Sequence, residues 1–579
     1  MSAKTLFVLA MLAAAAALSA AQEDVPWGVS SSASSFRNHE EWLPKMSSIG
    51  VRTVRLFPEW GGLQPTPDSW TWDACDAMVR LAGDSKIEIN AILMGKPAWT
   101  KIGVHAFPMR NLPEWSAWVT GTVAHYKDRI HYWEVWNEGN GGFNDEHHTT
   151  ADYAVLAAET FAAARKADPR AQVGLTVASF DAPYLRHAVA AQLQAGRPDS
   201  FDYLCIHPYE IADGVSAPNG EIPYLWMADR LKQALKAAGS AKPEAPVWIT
   251  EVGRRLDSRP GQAVTEAAAA RDLVKLYVLA LAQGIRRVQW FEAQDPAGED
   301  QGFGLLGRDG RPRASYTAFQ TMTSALGLKP SSLGWLALGE KGRGYGFVFR
   351  GATAPVLVAW MPAGESDAPV KLSSKVEVLD LAGVKTPIAA GQALPLGEVP
   401  IFVIGLPAEF VRRAQANAGK KFPWGGDFSA AKTVTLDYTR PLDPAQGLFP
   451  TGPLAIQTFP DGSRGIRVEH NAATNYFVHP TFAGLATGEY YVRMTVRRTV
   501  PGNVGMNCVY EVDDSQGRAA YKNRGEWFGL SPDEGWQTHV WHLTGASFST
   551  MWGFDVGLRP EQSVTFAIGK VEISTDPLK

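Results

Sequence analysis

Cysteine is scarce in this chain. Only Cys75, Cys205 and Cys508 occur among 579 residues. That set is too small, and odd in number, for a disulfide framework even in an oxidising compartment. Stability must come from packed cores, and no motif around any of the three marks a catalytic thiol. An excess of one charge is also lacking. Lys and Arg number 55 against 59 Asp and Glu, a formal net charge of -4. The strongly basic surface of a nucleic-acid-binding protein is thereby excluded. Beyond residue 21 no stretch approaches the ~20 consecutive apolar residues of a membrane span. No Gly-rich phosphate loop ending in Gly-Lys-Ser/Thr follows a strand.

What is present begins with the N-terminus. Lys4, the apolar run Leu6 to Leu18 and the small residues Ser19-Ala20-Ala21 read as a secretory signal over residues 1–21. The expected mature protein is secreted or periplasmic, without membrane insertion. The first cysteine, Cys75, is too far on to carry a lipid at the cleavage site. Tryptophan is abundant, at 20 residues. Many will be core, but the excess also suits a surface that stacks on the apolar faces of sugar rings.

From Val25 to Gly327 short apolar runs alternate with helical patterns, which predicts a parallel α/β architecture. Eight strands are expected, at Pro26–Ser30, Thr53–Phe57, Glu88–Leu93, Tyr132–Trp136, Gln172–Val177, Tyr203–Ile206, Val247–Thr250 and Arg287–Phe291. Thr149 with Asp152 forms a capping-box start for one helix, and Gly284 stops another after Gln283. Eight strand–helix units fit a closed (β/α)8 barrel, a TIM barrel, over residues 22–328. The period then changes to two. Tyr345, Phe347 and Phe349 alternate with Gly346, Val348 and Arg350, predicting a small β-sandwich over 329–408. A linker is expected over 409–430. A C-terminal all-β domain of jelly-roll type follows over 431–579, where Tyr490, Val492, Met494 and Val496 share one face. It reads as a separate folding unit, with Tyr491, Trp527, Trp536, Trp541 and Trp552 as aromatics that either fill its core or stack on sugars.

The chemistry concentrates at two strand ends. Tyr132-Trp133-Glu134-Val135-Trp136-Asn137-Glu138-Gly139 runs a strand into Asn-Glu before Gly, and Val247-Trp248-Ile249-Thr250-Glu251-Val252-Gly253 ends another in Glu. These are strands four and seven, and C-terminal strand ends of a barrel share one active-site mouth. Two carboxyl groups there supply the pair that glycosidic cleavage requires. Glu134, inside a strand, and Glu59, beyond one, are weaker candidates. Asp145-Glu146-His147-His148 crowds four potential metal ligands into one loop. Adjacent residues rarely converge on one ion, so a polar loop is expected and no metal site is assigned.

On these residues the chain resembles a clan A glycoside hydrolase, over roughly residues 25 to 327. The resemblance implies Glu138 as general acid/base and Glu251 as nucleophile. It extends to Arg55 ending strand two, His207-Pro208-Tyr209 after strand six and Trp290 ending strand eight. A barrel followed by a small β-sandwich is similar to family 39, with family 5 next. A departure from family 5 is Met94-Gly95-Lys96-Pro97 after strand three, where that family usually has a His. The resemblance implies a retaining enzyme on a β-linked glycan. Arg55 and Tyr209 would hold Glu251, and Asn137 would bind the sugar 2-hydroxyl. His207 would support the site and Trp290 would floor it. Glu138 should have a pKa raised by burial and by its neighbouring carboxylate. Water completes the reaction, so no cofactor is expected. A transglycosylase, a non-catalytic glycan-binding protein and an assembly protein built around the β domains remain alternatives. The oligomeric state is not readable.

Overall fold

Eight short strands pair in parallel and close on themselves: β1 Trp27–Ser30, β2 Thr53–Leu56, β3 Glu88–Leu93, β4 Tyr132–Val135, β5 Gln172–Ala178, β6 Tyr203–His207, β7 Val247–Val252 and β8 Arg287–Phe291. Each falls where the apolar runs predicted it, and β8 pairs back onto β1. The computed structural model describes residues 25–32, 38–256, 264–296 and 302–441. Beyond these it describes 446–451, 456–468, 474–484, 487–499, 505–513, 523–531, 535–549, 553–560 and 566–578. The leader expected at 1–21 and Trp552 lie outside the described residues. None of the described helices is long and apolar enough to cross a membrane.

The outer helices start and stop as their end residues dictate. Thr149 and Asp152 form a reciprocal capping box before the helix Thr150–Ala167. The helix Glu266–Ala282 is capped by Thr265 and released at Gly284, whose φ of 86° is left-handed. Alternation along the strands sends one set of side chains inward, and near the strands' N-terminal end these close the barrel. Arg287 lies 4.2 Å from the ring centroids of both Tyr132 and Trp248 and pairs with Glu88 at 2.5 Å. The interior is therefore filled rather than a pore. Cys75, Cys205 and Cys508 are all buried free thiols.

The second unit is one antiparallel sheet: β9 Ser332–Leu338, β10 Gly344–Phe349, β11 Val356–Trp360, β12 Val376–Leu379, β13 Lys385–Ile388 and β14 Ile401–Ile404. Their spatial order is β13-β12-β14-β11-β10-β9. Tyr345, Phe347 and Phe349 join Val358, Trp360 and Phe402 in packing against the barrel. The opposite face, with Val348, Leu357 and Val403, has its own core. Among the described residues no second sheet closes that face. The stretch read as a linker does so instead, which corrects that reading. Ala408–Asn417 is a helix whose Phe410, Val411 and Ala414 cover the sheet. Phe422 and Trp424 then fold back onto the barrel-side face, with Trp424 4.4 Å from Tyr345. Pro423, Gly425 and Gly426 gave this segment a loop-like composition, but its apolar residues are anchors.

The C-terminal unit is two facing sheets around a core of its own. One contains Thr433–Asp437, Ile456–Thr458, Arg464–Val468, Gly488–Arg498, Trp536–Ala546 and Phe566–Ser574. The other runs Leu448–Pro450, Thr474–Val478, Val556–Pro560, Gly505–Tyr510, Asn523–Gly529 in spatial order. This unit is not loosely tethered. Phe449 and Phe477 belong to the barrel's apolar cluster. Asp513 pairs with Arg186 and lies 2.9 Å from His187 Nε2. Arg230, on the barrel helix Met227–Ala238, is buried and donates to the carbonyls of Phe548 and Gly484.

Arg230→Ala removes those donors and leaves the buried Phe548 carbonyl without this bond, at a cost of about 1–3 kcal/mol. Calorimetry should show the unfolding transition of the C-terminal unit moving to lower temperature. An unmoved transition would mean that this arginine does not fasten the unit.

Candidate active site

At the C-terminal end of the barrel the inward positions become polar, and one side chain organises them. Arg55, on β2, is completely buried. Its Nε donates to both Glu134 oxygens at 3.1 and 3.0 Å, and its Nη2 donates to Glu134 Oε2 and to Asn137 Oδ1, each at 2.9 Å. Its Nη1 donates to Glu251 Oε1. Burial alone lowers an arginine's pKa, but the Glu134 and Glu251 carboxylates more than reverse this, and Arg55 is raised. Glu134 is completed by Thr176 Oγ1 at 3.0 Å and by Asn90 Nδ2. Tyr203 in turn donates to Asn90 Oδ1 at 3.1 Å.

Glu251 is held from its other side. Tyr209 OH donates to its Oε2 at 3.0 Å. Burial, then the Glu251 and Glu138 carboxylates, raise the Tyr209 pKa well above its ordinary value, so the phenol stays a donor. Glu138 stands opposite. Its Oε1 lies 2.7 Å from His207 Nδ1, and His207 Nε2 lies 3.0 Å from Thr250 Oγ1. His207 Nδ1 is also 4.0 Å from Glu251 Oε2. One oxygen of Glu138, one of Glu251 and one His207 nitrogen all lie within 4.8 Å of one another.

The chain reaches this geometry through an unusual turn. After β4, Trp136 and Glu138 both take left-handed φ angles, 62° and 45°. Such residues cost on the order of 1–3 kcal/mol each unless their surroundings hold them. Here Trp136 N donates to Leu93 O at 2.9 Å, its Nε1 to Phe143 O at 2.8 Å, and Arg55 grips Asn137. Gly139 contributes space rather than the bend. A methyl there would lie 2.6 Å from the Phe107 ring.

Glu138, Glu251, Arg55, Asn137, His207 and Tyr209 thus share one site, and two sequence expectations need correction. Trp290 does not floor it. It is only 1% exposed, belongs to the apolar core and donates its Nε1 to Phe303 O at 3.0 Å. Arg287 and Gln289 point inward, so alternation puts Phe291 inward and Trp290 outward. Phe291 is half-buried, 6.3 Å from Tyr209 and 5.5 Å from Phe303. The second correction concerns Glu138. Burial pushes its pKa up, but the His207 hydrogen bond and charge, with Arg55, bring it below the ordinary value. Glu134, discounted as lying inside a strand, is the counter-charge of Arg55. An acidic side chain on the inward face of a barrel strand demands such a partner. Glu59 is exposed at the start of the short helix Trp60–Leu63.

Glu138, His207 and Glu251 form the one cluster, among the described residues, whose ligand atoms could converge on a metal ion. Arg55 already donates to Glu251, so a cation there would meet a guanidinium, and the donor set suits a carboxyl pair better. In the acidic–histidine loop, Asp145 and Glu146 accept from the backbone of His105 and Gly103, each at 3.2 Å. They tie two loops together.

The sequence matches none of the models of known families, and no curated protein matches it. Solved structures do resemble the fold. A family 39 glycoside hydrolase from the gut symbiont Bacteroides cellulosilyticus WH2 has a TM-score of 0.54 at 19% identity, covering 66% of this chain and 81% of that one. A GH39 β-xylosidase from Caulobacter crescentus has a TM-score of 0.48 at 17% identity, over 66% and 96%. A GH5_18 protein from Bifidobacterium longum subsp. infantis has 0.41 at 17%, over 52% and 79%. At these identities the likeness is one of fold.

His207→Asn tests the electrostatics of the site. It removes the group that lowers Glu138 while leaving its burial, so the Glu138 pKa should rise. In the unaltered protein the depressed pKa contributes stability above the unfolded-state value, lost as pH falls through the folded-state value. The measurement is a carboxyl titration by carbon-13 NMR. A Glu138 pKa that stays put or falls in the variant would contradict this account.

Proposed function

We propose that the chain is a retaining β-glycosidase that hydrolyses a β-linked oligo- or polysaccharide by double displacement. The observation that carries this reading is the short separation of Glu138 and Glu251 at the mouth of a closed barrel. Retaining enzymes place the two carboxyl groups ~5–5.5 Å apart, and inverting ones leave ~6.5–9.5 Å for a water. The fold shared with a family 39 glycoside hydrolase supports the same reading. The leader at residues 1–21 supports action outside the cytoplasm, in the periplasm or the medium.

Glu251, oriented by Arg55 and Tyr209, attacks the anomeric carbon. The bond to the leaving oxygen breaks as Glu138 gives that oxygen its proton. Asn137 has its Oδ1 held by Arg55, which leaves Nδ2 to donate to a sugar hydroxyl. In the second step Glu138 takes a proton from water, and the water oxygen displaces Glu251 from the anomeric carbon. His207 suits both steps. With a proton on Nδ1 it donates to Glu138 Oε1, and its Nε2 is hydrogen-bonded to Thr250 Oγ1. Glu138 Oε2 is then the oxygen that loses and regains a proton. A sugar covering the cleft excludes water, strengthens the effect of burial and favours the protonated acid on binding. No cofactor enters the scheme.

Azide separates the two glutamates. Glu138→Ala keeps the nucleophile, so an aryl glycoside with a good leaving group still forms the ester, and azide then releases a β-glycosyl azide. Glu251→Ala cannot form the ester, and azide attacking the opposite face gives the α-azide. Without azide the acid/base variant should lose on the order of 10²–10⁴-fold in rate on substrates that need protonation. Reversed anomers would exchange the roles, and undiminished activity in either variant would remove that residue from the mechanism.

A further inference from the structure

The C-terminal aromatics do not share one fate. Trp541 is buried and donates to Glu526 O at 2.8 Å. Trp536 is half-buried with its Nε1 3.1 Å from Ser463 Oγ, and Tyr491 stacks on His542 at 4.7 Å. Trp527 is different. It is 51% exposed, and no other tryptophan among the described residues is exposed to that degree.

About half of its surface reaches solvent. Trp527 stands on Asn523–Gly529, the outermost strand of the five-stranded sheet, opposite Asn507. The indole reaches diagonally across Gly505. A methyl group there would fall 1.9 Å from its Cζ2 and 2.3 Å from its Cε2. Gly529, paired with Gly505, extends this bare floor beneath Nε1. Any side chain at 505 would lift the ring from the sheet.

Polar groups continue the surface across the neighbouring strands. Asn507 pairs in register with Arg559, and Arg559 Nη1 donates to Asn475 Oδ1 at 2.8 Å. Asn475, Arg559 and Asn507 are each partly exposed. With Trp527 they occupy four adjacent strands. At about 4.8 Å between strands the row is roughly 14 Å long. The strand that carries Arg559 follows Gly553, which sits directly against Glu210. Glu210 adjoins Tyr209, the partner of Glu251. The surface thus belongs to the sheet that abuts the loop beside the barrel mouth.

We propose that Trp527, Asn507, Arg559 and Asn475 form a glycan-binding surface that holds a β-linked polysaccharide chain outside the catalytic cleft. A pyranose ring has an apolar face of C–H groups and a rim of hydroxyls. An exposed indole matches the face, and amides and a guanidinium match the rim. One ring among polar groups is too small and too polar for a stable contact between copies of the chain. The proposal rests on the glycosidase reading for the identity of the polymer.

The test uses the full-length protein in native gels containing soluble xylan, barley β-glucan or galactomannan, beside hydrolysis of a panel of p-nitrophenyl glycosides. Retardation is expected in at least one polymer. Trp527→Ala and Gly505→Val should each weaken it about tenfold, the order of one stacking contact. Cleavage of the aryl glycosides should not change. No retardation in any gel overturns the surface, as does equal retardation of both variants. A change in sedimentation on Trp527→Ala would instead make it a contact between copies and also overturn it. Polymer retention that depends on Trp527 in a protein inert toward every aryl glycoside would uphold the surface and count against the glycosidase reading.

Discussion

A single buried cation organises the mouth of this barrel. Arg55 has no contact with solvent and joins the ends of three strands through Glu134, Asn137 and Glu251. Removing an ion from water costs several kcal/mol even after the protein relaxes, and only well-placed opposite charges with further hydrogen bonds offset it. One guanidinium facing two carboxylates leaves an excess of negative charge. Neutral donors make up the balance: Thr176 and Asn90 on Glu134, and Tyr209 on Glu251. The planar fork of arginine can serve all these acceptors at fixed angles, which a lysine could not do. The left-handed turn at Trp136 and Glu138 depends on the same grip, since Asn137 between them is bonded to Arg55.

The appended units continue this constraint outward. Lys275 and Glu221 form a fully buried ion pair at 2.7 Å, and Trp360 of the second sheet donates to the same Glu221 oxygen at 3.0 Å. Glu221 lies in the segment that follows Tyr209, so the second sheet, a barrel helix and the loop flanking the site meet at one charge. The C-terminal unit touches the same loop at Glu210 through Gly553. The segment beside Glu251 is thereby held from the barrel, from the sheet and from the C-terminal unit. Loops that carry functional groups need this support if those groups are to stay within a few tenths of an ångström of useful geometry.

The eight strands were legible because each is a short apolar run bounded by turn residues, and a closed parallel sheet leaves few other arrangements. Glu138 and Glu251 were legible because strand ends of a barrel converge. What escaped the sequence required three dimensions. Glu134 read as a residue inside a strand, and its meaning appears only once Arg55 is seen to share the barrel interior. Trp290 looked like a platform because of its position and residue type. The inward phase set by Arg287 and Gln289 shows that Phe291 faces the site instead. The direction of the Glu138 shift depends on a histidine 69 residues away in the chain. The helix at 408–417 was read together with the Gly- and Pro-containing stretch that follows it, whose composition suits a tether equally well.

Buried charge fixes Arg55, Arg55 and Tyr209 hold Glu251, and His207 holds Glu138, with one oxygen of each glutamate within 4.8 Å of the other, a closeness that supports the retaining mechanism proposed above. The most direct test is the anomeric form of the first product. Hydrolysis of a β-linked substrate followed by proton NMR, before mutarotation, should show the β-anomer appearing first. Initial release of the α-anomer would mean inversion and would contradict the account.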